Sequence, residues 1–265
     1  MATATDRPIR IGVQLAQQHA DYSAIRQAAA QAEELGADII FNWDHFFPLA
    51  GEKFGKHFEC WTMLGAWAEA TSRVQIGALV SCNSYRNPEL LADMARTVDH
   101  ISDGRLILGI GSGWKELDYT EYGYEFGTAG SRLADLAESL PRIEARWSKL
   151  NPAPTRKIPV LIGGGGERKT LKLVARHADI WHSFSGAEEL AHKQRVLAQH
   201  CADIGRDQAE IEYSVGLDRT RGKAAEDGPA LRALGVSTFT VGVSGPDYDL
   251  SRLRDWISWR DEQSS

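Results

Sequence analysis

The sequence predicts a single (β/α)8 barrel of the α/β class that spans residues 1–265. Eight short strand-like runs, rich in Ile, Val and Leu, alternate with eight segments whose apolar residues recur at helical spacing. No linker divides the chain, and its 265 residues match the roughly 250 of a typical barrel. A doubly wound sheet normally uses fewer strands and often shows a linker between its halves, so the closed barrel is favoured.

Each predicted strand is a short apolar run, and each predicted helix carries an apolar face. The strands are predicted at Ile9–Leu15, Asp38–Trp43, Val74–Val80, Arg105–Ile110, Val160–Ile162, Asp179–Phe184, Ile211–Gly216 and Thr238–Val243. The helices are predicted at Asp21–Leu35, Phe58–Ala70, Pro88–Ile101, Ser131–Trp147, Glu167–His177, Ala187–Ile204, Ala224–Leu234 and Leu250–Trp259. Gly36 suits the end of the first helix, and Pro88 suits the first turn of the third. About nine residues, Lys149–Lys157, join the fourth helix to the fifth strand.

Composition excludes several classes of protein. The chain is 43% hydrophobic and 25% charged with a net charge of −6, and it has no basic block, so disorder and binding to nucleic acid or an anionic membrane are not expected. No apolar run is long enough to span a bilayer, and Met1–Pro8 lacks the apolar region of a secretory signal. Cys60, Cys82 and Cys201 form no CxxC pair, and the eight histidines lack metal-ligand spacing. We expect a cytoplasmic protein without a metal site.

In a barrel, the residues that follow each strand converge on one rim, where catalytic groups lie. Asp44 and His45 follow the second strand, and such a pair suits acid/base chemistry, although composition alone favours loop packing. Polar residues after the third strand, from Ser81 through Asn83 to Asn87, suit hydrogen bonds to a heterocycle or ordinary turns. The glycine-rich run from Gly109 to Trp114 after the fourth strand is neither a dinucleotide fingerprint nor a nucleophile elbow.

The segment after the fifth strand is the strongest signal on this rim. Four glycines, Gly163, Gly164, Gly165 and Gly166, lead into a predicted helix whose first turn contains Arg168 and Lys169. Backbone N–H groups at a helix start, with glycines that let an anion approach, form a phosphate site. An ordinary flexible connector is the alternative, although four glycines carry a cost in chain entropy.

Taken in order, these rim segments resemble the bacterial luciferase-like flavin/deazaflavin oxidoreductase superfamily, and most of all its coenzyme F420-dependent enzymes of actinobacterial type. The resemblance is strong over about residues 9–185, and it implies a (β/α)8 barrel. The runs that carry it are Asn42–Phe46, Phe58–Thr62, Tyr85–Pro88, Asp103–Trp114, Pro159–Leu171 and Ala178–Trp181.

The resemblance also implies site residues. It implies Asp44 and His45 on the reacting face as catalytic residues, with the histidine helping protonation. It implies a cofactor phosphate at the glycine run and a ring beside residues at the other strand ends. It further implies a non-proline cis peptide between Ala78 and Leu79. The cofactor-binding set is Ala78, Leu79, Ser81, Asn83, Gly111, Trp114, Gly163, Gly164, Gly165, Gly166, Arg168, Lys169 and Trp181.

The function implied is hydride transfer between coenzyme F420 and a small organic substrate, by a homodimer. An FMN-dependent luciferase-like monooxygenase and a non-catalytic flavin-binding barrel remain alternatives. Two departures from the family pattern matter. The short connection before the fifth strand implies a more open site, and Trp181-His182 stands where relatives commonly carry Trp-Asn.

Overall fold

The computed structural model describes residues 7–217 and 223–263, which form a closed parallel barrel surrounded by helices. The strands are β1 (Arg10–Leu15), β2 (Ile39–Asn42), β3 (Gln75–Ala78), β4 (Ser81–Cys82), β5 (Leu106–Gly111), β6 (Val160–Gly163), β7 (Ile180–Ser183), β8 (Glu212–Gly216) and β9 (Val236–Val243). The helices are α1 (Tyr22–Leu35), α2 (Cys60–Ala70), α3 (Pro88–Ile101), α4 (Glu116–Tyr122), α5 (Ala129–Trp147), α6 (Thr170–His177), α7 (Ala187–Ala202), α8 (Ala224–Ala233) and α9 (Ser251–Gln263).

Parallel pairing closes the sheet. The strand order is β3-β2-β1-β9-β8-β7-β6-β5-β4, and β3 also pairs with β5, with Ile76 opposite Leu106. The segments β3 and β4 are two parts of one barrel strand, because both pair with β5 and β4 places Ser81 opposite Ile110. The predicted eight-stranded barrel is therefore confirmed, with its third strand interrupted.

Two apolar layers stabilise the barrel. The larger one lies between the strands and the surrounding helices, and the smaller one fills the barrel interior. The inward-facing members of the smaller layer are Ile39, Phe41, Leu79, Ile107, Leu161 and Ile180. Alternate residues of each strand face the two different layers. Because both layers are apolar, the strand sequences are nearly continuous apolar runs.

Local signals set most helix boundaries. Gly36 ends α1 in the left-handed conformation with φ 98°, where glycine avoids the cost of a Cβ. The Asn87 side chain caps α3 by accepting from the N–H groups of Glu89 and Leu90, and Pro88 occupies the first turn.

Three of the differences from the sequence prediction lie at the rim where the strands end. The third strand leaves regular pairing after Ala78, whereas the prediction ran it to Val80. The prediction lacked α4, and it began the helix after the glycine run at Glu167, whereas α6 begins at Thr170. Each difference falls where the chain turns over the C-terminal rim of the barrel.

Candidate active site

A cavity of about 550 Å³ opens at the C-terminal end of the barrel. Its walls come from segments that follow different strands, which is why residues distant in sequence meet there. We call this cavity the cleft. Eight of the predicted site residues line it, namely Asp44, His45, Leu79, Ser81, Gly111, Trp114, Gly163 and Gly164.

The floor of the cleft is the break in the third strand. The peptide bond between Leu79 and Val80 is cis, so the predicted cis bond between Ala78 and Leu79 was wrong by one residue. Ala78 remains in β3, paired in register with Asn42, and the Leu79 N–H donates to the carbonyl oxygen of Asn42 at 2.8 Å. Regular pairing thus continues through the Ala78–Leu79 bond, and the departure comes after it.

Two glycines leave room for Val80 at this floor. A Cβ at Gly111 would lie 2.8 Å from Val80 Cγ2, and one at Gly163 would lie 3.0 Å from Val80 Cγ1. Val80 therefore lies against β5 and β6, and together with Leu79 it gives the cleft an apolar surface that suits the face of a flat ring.

His45 is held by a buried carboxylate from α4. Its Nδ1 lies 2.6 Å from Asp118 Oδ2, and Tyr85 donates its hydroxyl to the same oxygen at 2.9 Å. Asp118 Oδ1 accepts from the backbone N–H of Phe46, and the Asp118 side chain is fully buried. Burial acts to raise the pKa of Asp118, but the hydrogen bonds from His45 and Tyr85 hold it below the usual range.

This network determines which atom of His45 can do chemistry. With Nδ1 donating to Asp118, Nε2 is left for the cleft, and no partner for it is found among the described residues. This tautomer is assigned from the hydrogen bonds. The Trp114 ring stands edge-on to the imidazole, with 5.5 Å between centroids. His45 can therefore give or take a proton at Nε2.

Asp44 is buried in an ion pair with Arg86. Arg86 Nη1 and Nη2 donate to Asp44 Oδ2 and Oδ1 at 2.5 and 3.1 Å, and the Cys82 N–H donates to Oδ2 at 2.9 Å. Burial acts to lower the pKa of Arg86, but the Asp44 charge outweighs it and raises the pKa. With both oxygens engaged, Asp44 anchors the end of β4 beside the cleft.

Two further histidines next to the cleft are held neutral. His57 Nε2 accepts from the Trp43 indole N–H at 3.1 Å, and burial together with the nearby His45 lowers the pKa of His57 to about 4. His182 Nδ1 bonds Ser214 Oγ at 2.8 Å, and complete burial lowers the pKa of His182 to about 3. Each is therefore uncharged at neutral pH.

The glycine run forms the opposite end of the cleft. Gly164 has φ 117°, a conformation that favours glycine; its N–H donates to the His182 carbonyl, and its own carbonyl accepts from Trp181 Nε1 at 2.7 Å. A Cβ at Gly165 would lie 2.5 Å from Lys193 Nζ, so the glycine allows this ammonium to approach the backbone. Thr170, the first residue of α6, also lines the cleft.

The remaining predicted site residues lie outside the lining. Gly165, Gly166, Arg168 and Lys169 sit in the turn before α6, where Arg168 and Lys169 are exposed. Lys169 Nζ reaches the Gly130 carbonyl at 3.5 Å. Ala78 and Trp181 are buried behind the cleft, and Asn83 faces a separate cavity of about 330 Å³.

Sequence reasoning missed three residues of this site, Asp118, Tyr85 and Lys193. For Asp118 a signal existed, because Glu116 and Asp118 occupy the first turn of α4 and Gly123 ends it. Lys193 lies on α7, 27 positions beyond the glycine run, and nothing local marks it. These residues reach the site only through the fold.

The described residues contain no group of three or more His, Cys, Asp or Glu side chains placed to hold a metal ion. Among the helices described, none is both long and apolar enough to cross a membrane.

Comparisons with known proteins fit this architecture. An F420-dependent glucose-6-phosphate dehydrogenase from Amycolatopsis mediterranei is 30% identical over 253 residues, which cover 86% of this chain and 75% of that protein. An F420-dependent secondary alcohol dehydrogenase, solved with an F420-acetone adduct, superposes with a TM-score of 0.84 at 16% identity, over 96% of this chain and 99% of that one. The EDTA monooxygenase of Chelativorans sp. BNC1 gives a TM-score of 0.72 at 11% identity, over 97% and 95% of the two chains.

The sequence profile described as luciferase-like monooxygenase matches residues 5–226, which is most of the chain. Together with the 30% identical relative, this match establishes the family. The chain belongs to the luciferase-like monooxygenase family.

Proposed function

We propose that this chain is a coenzyme F420-dependent oxidoreductase that transfers a hydride between the deazaflavin and a small organic substrate. The observation that carries the proposal is the arrangement of the cleft, in which an apolar floor separates a proton-carrying His45 from a glycine-lined end. The F420-dependent relative, similar along most of this chain, supports the choice of cofactor.

The residues present fit a ring with a phosphate tail. Gly111 and Gly163 open space around Val80 at the floor, and Ser81 and Trp114 stand at its edge. The backbone N–H groups of Gly165 and Gly166 find no acceptor among the described residues, and they lie beside the start of α6 and Lys193. This is a favourable place for a phosphate. We assign Arg168 and Lys169 to the outer part of the same tail.

A bound deazaflavin would supply the hydride chemistry and leave the accompanying proton to the protein. His45 Nε2 faces the cleft and would accept that proton or return it, and Asp118 keeps the ring oriented by accepting from Nδ1 at 2.6 Å. Asp118 remains charged, because His45 and Tyr85 both donate to it. Asp44 acts indirectly, since its pairing with Arg86 and Cys82 N–H fixes the strand beside His45.

An FMN-dependent monooxygenase is the second candidate, because the family profile and a solved neighbour are both described as monooxygenases. Both cofactors have a ribityl phosphate, so the glycine end does not distinguish them. A direct comparison does: coenzyme F420 and FMN are titrated side by side, with melting temperature and turnover as readouts.

We expect F420 to bind tightly and FMN weakly, with turnover independent of oxygen. At a concentration of 100 times the dissociation constant, a ligand stabilises the native state by about 2.7 kcal/mol, which raises the melting temperature by roughly 5–10 °C for a domain of this size. Tight FMN binding with oxygen-dependent turnover would establish the monooxygenase instead. Binding without turnover on any substrate would favour a non-catalytic barrel.

The family resemblance supports a homodimer, and the three free, buried cysteines favour a reducing cytoplasm. Light scattering on the purified protein and fractionation of the producing cells test these two proposals, and a monodisperse monomer would overturn the first.

A further inference from the structure

We propose that Lys193 makes this site prefer a phosphorylated cofactor, by exchanging its ion pair with Glu189 for one with the cofactor phosphate. This inference rests on the proposed function, and it assigns specificity to a residue of α7 that lies outside the lining of the cleft.

The ammonium of Lys193 lies against the glycine run. An ideal Cβ on Gly165 would lie 2.5 Å from Lys193 Nζ and 3.2 and 3.3 Å from Cδ and Cε, so the end of the side chain follows the glycine backbone. Two histidines hold α7 at this turn, because His192 Nε2 lies 3.1 Å from Glu167 Oε1 and His200 Nε2 lies 2.8 Å from the Glu167 carbonyl oxygen. Packing between α7 and the turn therefore sets the position of the ammonium.

The partner of this ammonium is an exposed carboxylate. Lys193 Nζ lies 2.6 Å from Glu189 Oε1, one turn earlier on α7, and 3.5 Å from Ser185 Oγ. The Lys193 side chain is 14% exposed, whereas that of Glu189 is 56% exposed. A solvated carboxylate is a weak ion-pair partner, and a phosphate that also accepts backbone N–H groups is a stronger one. The exchange therefore needs only a rotation of the exposed Glu189 side chain.

A buried hydroxyl at the same turn also points to a ligand. Thr170 is 8% exposed and lines the cleft, and an ideal Cβ on Gly166 would lie 2.8 Å from its Oγ1. This hydroxyl has no hydrogen-bond partner among the described residues, and neither do the N–H groups of Gly165 and Gly166. The turn therefore combines two backbone donors, one hydroxyl and the Lys193 ammonium. Such a set suits a phosphate, which accepts several hydrogen bonds at once.

The two cations that adjoin the glycines in sequence are exposed. Lys169 Nζ reaches the Gly130 carbonyl at 3.5 Å, and Arg168 precedes it in the same exposed stretch. Salt screens exposed charges, whereas the Lys193 side chain is largely withdrawn from solvent. Lys193 should therefore contribute more to phosphate binding than Arg168 or Lys169, which suit the part of the tail beyond the phosphate.

Ligands that differ at the phosphate separate this role from packing. Isothermal titration calorimetry gives the dissociation constants of F420, of the form that ends at its phospholactate, and of the deazaflavin that ends at the ribityl chain. Lys193→Gln should weaken binding of the two phosphorylated ligands about tenfold to a hundredfold, because a charge-assisted contact is lost. The unphosphorylated ligand should change by less than about twofold, because it makes no such contact. Lys193→Arg should restore most of the affinity.

Glu189→Gln tests the exchange with a change in the opposite direction. Removing the carboxylate that competes for Lys193 should tighten F420 binding about two- to fivefold, and the gain should disappear in the Lys193→Gln background. Lys172→Gln, at an exposed lysine of α6, controls for the loss of one positive charge and should leave the affinity for F420 unchanged.

Equal weakening of phosphorylated and unphosphorylated ligands by Lys193→Gln would make this lysine a packing residue. A loss that appears only with the glutamates of F420 would place Lys193 beyond the phosphate. Either result overturns the proposal. If the unsubstituted protein binds FMN and not F420, the proposed function fails, and the same comparison between FMN and riboflavin then decides the role of Lys193.

Discussion

The two ends of the cleft are built in different ways. At the His45 end, the functional geometry comes from side chains far apart in sequence: Asp118 lies 73 positions beyond His45, and Arg86 lies 42 beyond Asp44. At the glycine end, the binding geometry comes from one continuous segment, 163–170, whose shape is a backbone conformation. The first end is buried and held by charged hydrogen bonds, whereas half of the residues of the second are exposed.

This difference predicts a division of labour. Side-chain networks orient one reacting atom, so damage at the His45 end should lower turnover. Backbone N–H groups contact a ligand through its charge, so damage at the glycine end should lower cofactor affinity. The following changes test that division, from the largest expected effect to the smallest.

His45→Ala should lower kcat by about 10²- to 10⁴-fold while the cofactor dissociation constant stays within about twofold, because general acid–base catalysis has this range. Steady-state kinetics and a cofactor titration measure the two quantities. His100→Ala, at a surface histidine of α3 bonded to the Ala153 carbonyl, is the control and should change neither. Normal turnover with reduced thermal stability would make His45 a packing residue.

Asp118→Asn should lower kcat by about tenfold to a hundredfold, less than loss of the imidazole itself, since the ring remains but its orientation is no longer enforced. The ¹⁵N chemical shifts of the His45 ring should show a larger population with the proton on Nε2. Asp135→Asn, at an exposed position of α5, controls for loss of a charge. An unchanged tautomer together with reduced kcat would assign Asp118 a purely structural role.

Acid should destabilise the fold through the neutral histidines behind the two ends. Because the native pKa of His182 is about 3 and that of His57 about 4, the unfolded chain binds more protons below its own histidine pKa of about 6.5. The free energy of unfolding should therefore fall as pH drops from 6.5 to 5, by up to about 1.4 kcal/mol per pH unit for His182. The partly buried His57 should contribute less.

Urea unfolding at several pH values measures this slope, and His182→Asn should reduce it because asparagine does not titrate. If the free energy of unfolding depends on pH as steeply in His182→Asn as in the unsubstituted protein, acid acts on other groups. A larger loss of slope in His57→Asn than in His182→Asn would place the acid-sensitive point at the His45 end.

Gly165→Ala should weaken cofactor binding about fivefold to tenfold with kcat at saturation nearly unchanged, because its Cβ would displace Lys193 Nζ from the backbone. Gly186→Ala, where a Cβ meets nothing within 4 Å, is the matched control. If Gly165→Ala lowers kcat as strongly as affinity, the two ends do not divide binding from proton transfer.

Much of this molecule follows from local sequence. Apolar runs of strand length alternate with amphipathic segments, and this pattern predicts the closed barrel because each strand must be covered by a helix. Position after a strand places His45, Ser81, Gly111, Trp114 and Gly164 on one rim, and all five line the cleft. The barrel and its rim can be predicted because they depend on residue order and periodicity alone.

The tertiary structure determined which side chains of the site pair with one another. Local pattern predicted acid/base chemistry or loop packing for Asp44, whereas the fold gives both its oxygens to Arg86 and lets Asp118 from α4 hold His45. Likewise, Arg168 and Lys169 adjoin the glycines in sequence, yet it is Lys193 from α7 whose Nζ lies next to Gly165. The partner of a side chain depends on how separate elements pack. Neither charge nor spacing along the chain gives the distance between two side chains on different elements. The sequence by itself therefore determined the barrel and its functional rim, and packing between elements determined which atoms on that rim face the cleft.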